Sequence, residues 1–272
     1  MENETHADGT PTDQNPSNSG STGQEPRPLL PELSYYDMSK KKILLVFNHE
    51  IFDKPSFWSD APSKRRGTQE DAMRLRRVFE HLKFNVTVYK DLTRECLFNV
   101  IDNLVELDHK NTSCVVVAIL THGSNNGELF AKDGMYNVNN IISKFEAKSL
   151  LQIPKVFLIQ ACRGGKTDSG QYIQLDGGNR AVIKIPTHGD FLVLYSTIEG
   201  YLSYREASGS WMIQTFCQVL REYHESMDML HIITLVNDIL ATDFVSRSLD
   251  PAINDKKQIS EARYTLRKLL KF

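Results

Sequence analysis

A histidine and a cysteine that could together cleave a peptide bond each follow a run of apolar residues. His122 follows the segment 114–120 with only Thr121 between, and Cys162 comes shortly after the segment 155–159. A thiol needs a nearby base or cation to become a strong nucleophile, and an imidazole supplies one. The resulting imidazolium can protonate the leaving amine. The pair therefore predicts nucleophilic catalysis, with Cys162 attacking and His122 acting as acid and base.

Glycine beside the histidine adds to this prediction. Gly123 lets a substrate approach the backbone closely, and its N–H could bind the oxyanion of a tetrahedral intermediate together with the N–H of Cys162. Each residue alone also has a structural interpretation, since a lone cysteine at a strand end is usually a core residue. We give that interpretation to the other three thiols, which are Cys96, Cys114 and Cys217.

The elements that must position these residues are strands and helices in alternation. The apolar runs 43–47, 114–120 and 155–159 have strand length and no polar alternation, which is typical of strands covered on both faces. Such runs separated by helices predict a three-layer α/β sandwich with a mostly parallel sheet. Because ligands bind at the carboxyl ends of parallel strands, His122 and Cys162 meet if their strands are neighbours.

Helical spacing of apolar residues predicts the flanking helices. They are expected near 68–82, 97–105, 141–145, 211–223 and 230–244. Thr68 is predicted to be the N-cap of the first helix, with Asp71 three residues further on. The last segment, Tyr264 to Phe272, is predicted to form an edge or interface strand.

Composition limits the class of protein. The 272 residues carry a net charge of −2 and are 40% hydrophobic, so no global field favours nucleic acid or an anionic membrane. The start of the chain lacks the apolar segment of a secretory signal, and no apolar run could span a bilayer. The four cysteines are expected to remain unpaired in the cytoplasm.

Residues 1–35 differ in composition from the rest. They are rich in Thr, Ser, Asn, Gly and Pro, and acidic residues outnumber the single Arg27. Such a stretch cannot bury enough apolar surface to offset its ordering entropy, so we expect a disordered leader.

A family resemblance enters with the residues around the cysteine. Gln160-Ala161-Cys162-Arg163-Gly164 matches the caspase pentapeptide, and Thr121-His122-Gly123 resembles the Ser-His-Gly of that family, with Thr for Ser. The spacing of the two motifs is somewhat shorter than the roughly 50 residues typical of the family. Shorter matches occur at 47–49, 66–72, 203–205, 209–211 and 256–259. The chain most resembles a short-prodomain executioner (effector) caspase of insect type.

The resemblance implies a pocket for a substrate aspartate. Arg65, Gln160 and Arg205 would form it, with Arg66 as the second choice for the first arginine. A guanidinium is always charged and offers a planar fork to a carboxylate. Further substrate-binding residues would be Ser203, Tyr204 and Trp211, with Leu202 beside them. A backbone carbonyl near Ser63 would orient His122.

Two departures from the family pattern concern substrate preference. Tyr204 stands where executioner members usually have Trp, and Glu206 stands where many have Asn. The short leader favours the executioner class over the apical class. Both departures weaken that assignment. An acid at 206 predicts a preference for Ile, Leu or Val, rather than Asp, three residues before the cleaved aspartate.

The resemblance also implies a zymogen and its subunits. Residues 36–176 would form the large subunit, with a linker at about 164–190, and residues 177–272 would form the small one. Asp176, which follows Ile173-Gln174-Leu175, and Asp168 are the expected processing sites. Asp8 and Asp13 are possible sites in the leader. The family assembles as a homodimer of such pairs.

Partners and cofactors follow from the same resemblance. We expect protein substrates with an exposed Asp, an activating upstream caspase and inhibitor-of-apoptosis proteins as partners. No metal or organic cofactor, nucleic acid or membrane is implied. Three alternatives remain open: a catalytically silent homologue that regulates or scaffolds, a related cysteine peptidase that cuts after basic residues or Asn, and a flavodoxin-like binding module.

Overall fold

A six-stranded sheet forms the centre of the protein. The computed structural model describes residues 33–54, 62–166 and 189–272. The strands are β1 (Lys41–Asn48), β2 (Phe84–Lys90), β3 (Thr112–Leu120), β4 (Glu128–Phe130), β5 (Met135–Asn137), β6 (Lys155–Gln160), β7 (Phe191–Tyr195), β8 (Arg205–Glu206), β9 (Gly209–Ser210) and β10 (Glu261–Tyr264). The central order is β10-β7-β6-β3-β1-β2, and β4–β5 and β8–β9 form two small hairpins. All central pairs are parallel except β10 with β7.

Helices cover both faces of this sheet. They are α1 (Thr68–His81), α2 (Arg94–Val105), α3 (Asn139–Ile142), α4 (Trp211–Tyr223) and α5 (Met229–Asp243). One apolar cluster packs α1, α4 and α5 on the face that carries Leu44 and Val116. A second packs α2 and α3 on the face that carries Leu45 and Val117. Successive side chains of a strand point to opposite faces, so strands buried on both sides are continuously apolar. The prediction of a three-layer α/β sandwich is confirmed.

The first helix begins differently from the prediction. Its N-cap is Gly67, with φ 84°, and no side chain caps the helix. A Cβ at Gly67 would lie 2.2 Å from the backbone oxygen of Glu206, so a side chain does not fit there. The prediction that Thr68 is the N-cap is therefore wrong. Its hydroxyl instead donates to Oδ1 of Asn48 at 2.6 Å and accepts from Arg65 at 2.7 Å.

The edge strand lies earlier in the chain than predicted. β10 covers Glu261–Tyr264, whereas the expected strand covered Tyr264 to Phe272. Beyond β10 the chain leaves the sheet, and Leu269 forms an isolated bridge with Tyr35. The ring of Phe272 packs 5.0 Å from that of Phe84. An aromatic contact with the core therefore helps to hold the end of this tail.

Several sequence predictions lie outside the described residues. They concern the leader up to residue 32 and the proposed processing sites Asp168 and Asp176. Within the described part of the chain, no helix is both long enough and apolar enough to cross a membrane.

Candidate active site

Neighbouring strands bring the predicted catalytic pair together. β3 and β6 are paired in parallel, with Leu120 opposite Gln160 at their carboxyl ends. His122 and Cys162 follow these two ends, and both line one cleft of about 270 Å³. The two strands are therefore neighbours, as the predicted meeting of His122 and Cys162 requires.

The imidazole of His122 is oriented from a separate loop. Its Nε2 lies 2.7 Å from the backbone oxygen of Ser63, and the ring of Phe52 packs 5.1 Å away. Donation from Nε2–H to this carbonyl leaves the lone pair of the neutral ring on Nδ1. Burial lowers the pKa of His122 to about 4, helped by the charges of Arg65 and Arg205 and opposed by the bond to Ser63. The resting imidazole is therefore neutral and can accept a proton.

Close backbone contact explains the glycine after the histidine. A Cβ at Gly123 would lie 2.2 Å from the backbone oxygen of Cys162. A side chain would push apart the two loops that carry His122 and Cys162. The thiol of Cys162 lies 3.8 Å from the backbone oxygen of Ser203, so it faces the segment expected to bind substrate.

Arg65 is a fully buried cation beside this pair. Its Nη1 donates to the backbone oxygen of His49 at 3.0 Å and to the hydroxyl of Thr68 at 2.7 Å. Its Nε and Nη2 are buried and have no partner among the described residues. Burial, with the charge of Arg205, lowers its pKa to about 9. Buried donors without acceptors are costly, and these are placed to bind an anion that enters the cleft.

The structure also distinguishes between the two arginines considered for the pocket. Arg65 lines the cleft, whereas Arg66 is exposed and offers only its backbone oxygen, which accepts from Nε of Arg205 at 2.8 Å. Arg205 lines the same cleft, and burial lowers its pKa. Two cations from distant parts of the chain thus meet beside the thiol of Cys162.

Gln160 and Ser203 complete the polar wall. Nε2 of Gln160 donates to the hydroxyl of Ser203 at 2.7 Å, while its buried Oε1 has no partner among the described residues. A hydroxyl can donate or accept, so the amide could turn over and present its NH₂ to an incoming carboxylate.

Apolar and aromatic residues form the rest of the cleft. Leu202, Tyr204 and Ile253 line it. Trp211 is only 2% exposed and lies behind the cleft, with its ring stacked 4.9 Å from that of Tyr204. It therefore supports the wall formed by Tyr204. Ile253 was not predicted, because it lies on the loop after α5 and no motif marks it.

A buried acid is the other functional residue that sequence reasoning missed. Asp71 accepts hydrogen bonds from the N–H of Ser210 at 2.8 Å and from its hydroxyl at 2.7 Å. Burial raises its pKa to about 6, although Ser210, Arg65 and Arg205 all act to lower it. Asp71 thus fixes the β8–β9 hairpin to α1 and balances part of the charge of the two arginines. Its position four residues before Leu75, on the apolar stripe of α1, could have indicated that Asp71 is buried.

Comparison with known proteins identifies the family. The sequence profile of the caspase domain matches residues 41–271.

The chain belongs to the caspase family.

Relatives and a solved structure agree with this assignment. The chain is 40% identical to Caspase-1 of Drosophila melanogaster over 251 residues, 88% of this chain and 76% of that protein. It is 38% identical to Caspase drICE of the same organism over 249 residues, 87% and 72% of the two chains. The crystal structure of Caspase-1 from Spodoptera frugiperda matches with a TM-score of 0.78 at 36% identity, covering 90% of this chain and 95% of that one. This caspase is an apoptotic cysteine-type endopeptidase with specificity for aspartate.

Proposed function

We propose that Cys162 is the nucleophile and His122 the general acid and base of this endopeptidase, and that Arg65, Gln160 and Arg205 bind the aspartate side chain. One observation carries the proposal. A buried guanidinium with two nitrogens that lack partners among the described residues lines the same cleft as the thiol and the imidazole. A carboxylate supplies the acceptors that these donors lack.

The first half of the reaction is acylation. Nδ1 of His122 accepts the thiol proton, and the thiolate of Cys162 attacks the backbone carbonyl carbon of the aspartate. The N–H groups of Gly123 and Cys162 stabilise the oxyanion. When the intermediate collapses, the imidazolium transfers its proton to the leaving amine and a thioester remains.

Hydrolysis of the thioester completes the cycle. The neutral His122 takes a proton from a water molecule, which attacks the thioester carbon. Collapse of the second intermediate releases the new carboxyl end and returns the proton to the sulfur of Cys162. The bond from His122 to Ser63 keeps the same ring nitrogen facing the reacting atoms in both halves.

Charge in the pocket explains the choice of aspartate. Each hydrogen bond to a charged group contributes about 1.5–3 kcal/mol. A neutral Asn side chain would leave the buried Arg65 and the half-buried Arg205 with only the partial counter-charge of Asp71, so a peptide with Asn in place of the aspartate should be cleaved about a thousandfold less efficiently or worse. A pocket for basic residues would need the opposite charge.

Glu206 supports a proposal about the fourth substrate position. Its carboxylate accepts from Nε1 of Trp211 at 3.1 Å, so a negative charge lies beside the aromatic wall of Tyr204 and Trp211. An acidic substrate side chain would be repelled there, whereas Ile, Leu or Val would pack on the wall. The sequence Ile173-Gln174-Leu175-Asp176 has this pattern.

The biological setting is proposed from the family. The protein would be an executioner made as a zymogen, activated by an upstream caspase that cuts at Asp176 or Asp168. It would work in the cytoplasm as a homodimer of large and small subunits and be restrained by inhibitor-of-apoptosis proteins.

The experiment that tests the catalytic assignment compares the parent chain with Cys162→Ala and His122→Ala on a fluorogenic Ile-Gln-Leu-Asp peptide. Both variants should lose at least about a thousandfold in kcat. Cys96→Ala, an exposed thiol on α2, is the matched control and should keep full activity. A parent chain that folds and dimerises but does not cleave the peptide would favour the catalytically silent alternative.

A further inference from the structure

A second cleft, of about 410 Å³, lies between helices α1 and α4. Arg74, Arg77 and His81 line it from α1, and Gln218 and Arg221 line it from α4. Residues three or four positions apart lie on one face of a helix, so each helix presents a row to the other. The cleft is thus bordered by three arginines, two from α1 and one from α4.

The arginines of this cleft, Arg74, Arg77 and Arg221, form no ion pair with an acid of the described residues. Glu70 is the one acid in the described part of the chain that lines the cleft. Arg76, on the same helix but outside the cleft, is different, because its Nε binds Glu80 at 2.8 Å. The unpaired cations are therefore a property of this cleft and not of α1 as a whole.

The two helices bring these charges towards a common point. Cys217 lies buried on the lining between them, and burial and the charge of Asp71 raise the pKa of its thiol while Arg74 and Arg221 both act to lower it. At one end, the ring of His81 packs edge to face against the ring of His224, with centroids 6.0 Å apart.

We infer that this cleft binds the phosphoryl group of a phosphorylated serine or threonine in a partner peptide. A phosphomonoester carries close to two negative charges and three acceptor oxygens, which guanidinium groups match in a bidentate way. The cleft is short and the chain has a net charge of −2, so it lacks the extended cationic stripe that nucleic acid requires.

Such a ligand would lie between the two helices that support the aspartate pocket. Asp71 is in the first turn of α1, and Ser210, to which it is bonded, directly precedes α4. An anion held by Arg77 and Arg221 would therefore hold together two elements that the proposed processing assigns to different subunits.

Calorimetric titration can test the inference on the full chain, with Cys162→Ala introduced to prevent self-cleavage. The probes are a peptide with one phosphoserine in an otherwise uncharged sequence, its unphosphorylated twin, and inorganic phosphate. The phosphopeptide should bind more tightly than both other probes at pH 7 and low salt. Arg77→Ala and Arg221→Ala should each weaken its binding by at least about tenfold.

Arg76→Ala is the matched control, because it removes an exposed arginine of α1 that lies outside the cleft. It should leave the affinity for the phosphopeptide unchanged. Equal affinity for the phosphorylated and unphosphorylated peptides, or equal losses in Arg76→Ala and Arg77→Ala, would overturn the inference. Inorganic phosphate that binds as tightly as the phosphopeptide would overturn the assignment to a peptide.

Discussion

Two arginines at opposite ends of the same sheet differ in how their donors are used. At the amino end, Nε and Nη2 of Arg267 donate to the two carboxylate oxygens of Asp190 at 2.9 and 2.5 Å. Tyr36 donates to the same carboxylate at 2.7 Å. At the carboxyl end, Arg65 is fully buried, yet Nε and Nη2 have no partner among the described residues.

The difference separates a structural site from the proposed binding site. The cluster of Tyr36, Asp190 and Arg267 joins the start of the described chain, the end of the linker and the C-terminal tail, and its hydrogen bonds stabilise the fold. Arg65 is held in place by two bonds from Nη1, and its other donors are the ones that we propose bind the substrate. Unused hydrogen-bonding capacity, and not residue type, indicates which end binds substrate.

The largest expected effect comes from removing each arginine in turn. Arg65→Ala should lower kcat/KM for an Asp substrate by about a thousandfold, because two or more charged hydrogen bonds to the substrate are lost. Arg267→Ala should leave kcat/KM within a few fold. Steady-state kinetics on the two purified variants would measure both. Comparable losses of activity in the two variants would remove the distinction between the two ends.

The cluster at the amino end of the sheet should matter for stability, although it should not matter for activity. Asp190→Ala should lower the free energy of unfolding by about 1–3 kcal/mol, because Tyr36 and Arg267 lose their shared acceptor. Urea unfolding of chains that also carry Cys162→Ala would measure this. An unchanged unfolding midpoint would mean that the cluster contributes little.

The two buried aspartates should respond to pH in opposite directions. Burial raises the pKa of Asp71 to about 6, so its contribution to stability is present at low pH and is lost as the pH rises through about 6. Burial also acts to raise the pKa of Asp190, but Arg267 and Tyr36 outweigh it and the pKa is lowered. Its contribution is therefore present at neutral pH and lost in acid.

Substitution of each aspartate by Asn should reveal these opposite pH dependences of stability. Relative to the parent, Asp71→Asn should become more stable as the pH rises from 4.5 to 7.5, by at most about 3 kcal/mol. Asp190→Asn should be less stable than the parent at both pH 7.5 and pH 4.5, and should begin to approach it only below the ordinary aspartate pKa of 3.8, because the pKa of Asp190 in the folded chain lies lower still. Urea unfolding at pH 7.5 and 4.5, with a third point at about pH 3 for Asp190→Asn, is the measurement. A pH-independent difference for Asp71→Asn would show that the carboxyl group titrates as in an unfolded chain.

Much of this arrangement could be predicted from the sequence, and the parts that could not depend on distant contacts. Continuous apolar runs predicted strands covered on both faces, and their ends predicted where His122 and Cys162 would meet. The burial of Asp71 depends on the β8–β9 hairpin, which is distant in sequence. The residues next to Asp71 indicate only that it lies near the start of a helix. The place of Ile253 in the cleft likewise depends on how a loop folds back.

A smaller effect should sharpen the description of the cleft wall. Glu206→Gln removes the negative charge but keeps an acceptor for Trp211. The ratio of kcat/KM for Asp over Ile at the fourth substrate position should rise several fold. A positional scanning peptide library would measure the ratio. A parent chain that already prefers Asp there would contradict the role given to Glu206.

The central claim concerns the free donors of Arg65, and a crystal structure with a peptide aldehyde ending in Asp would test it most directly. The account predicts a covalent bond from Cys162 to the aldehyde carbon, with the aspartate carboxylate within about 3 Å of Nε or Nη2 of Arg65. A carboxylate bound elsewhere, with those nitrogens still unpaired, would contradict it.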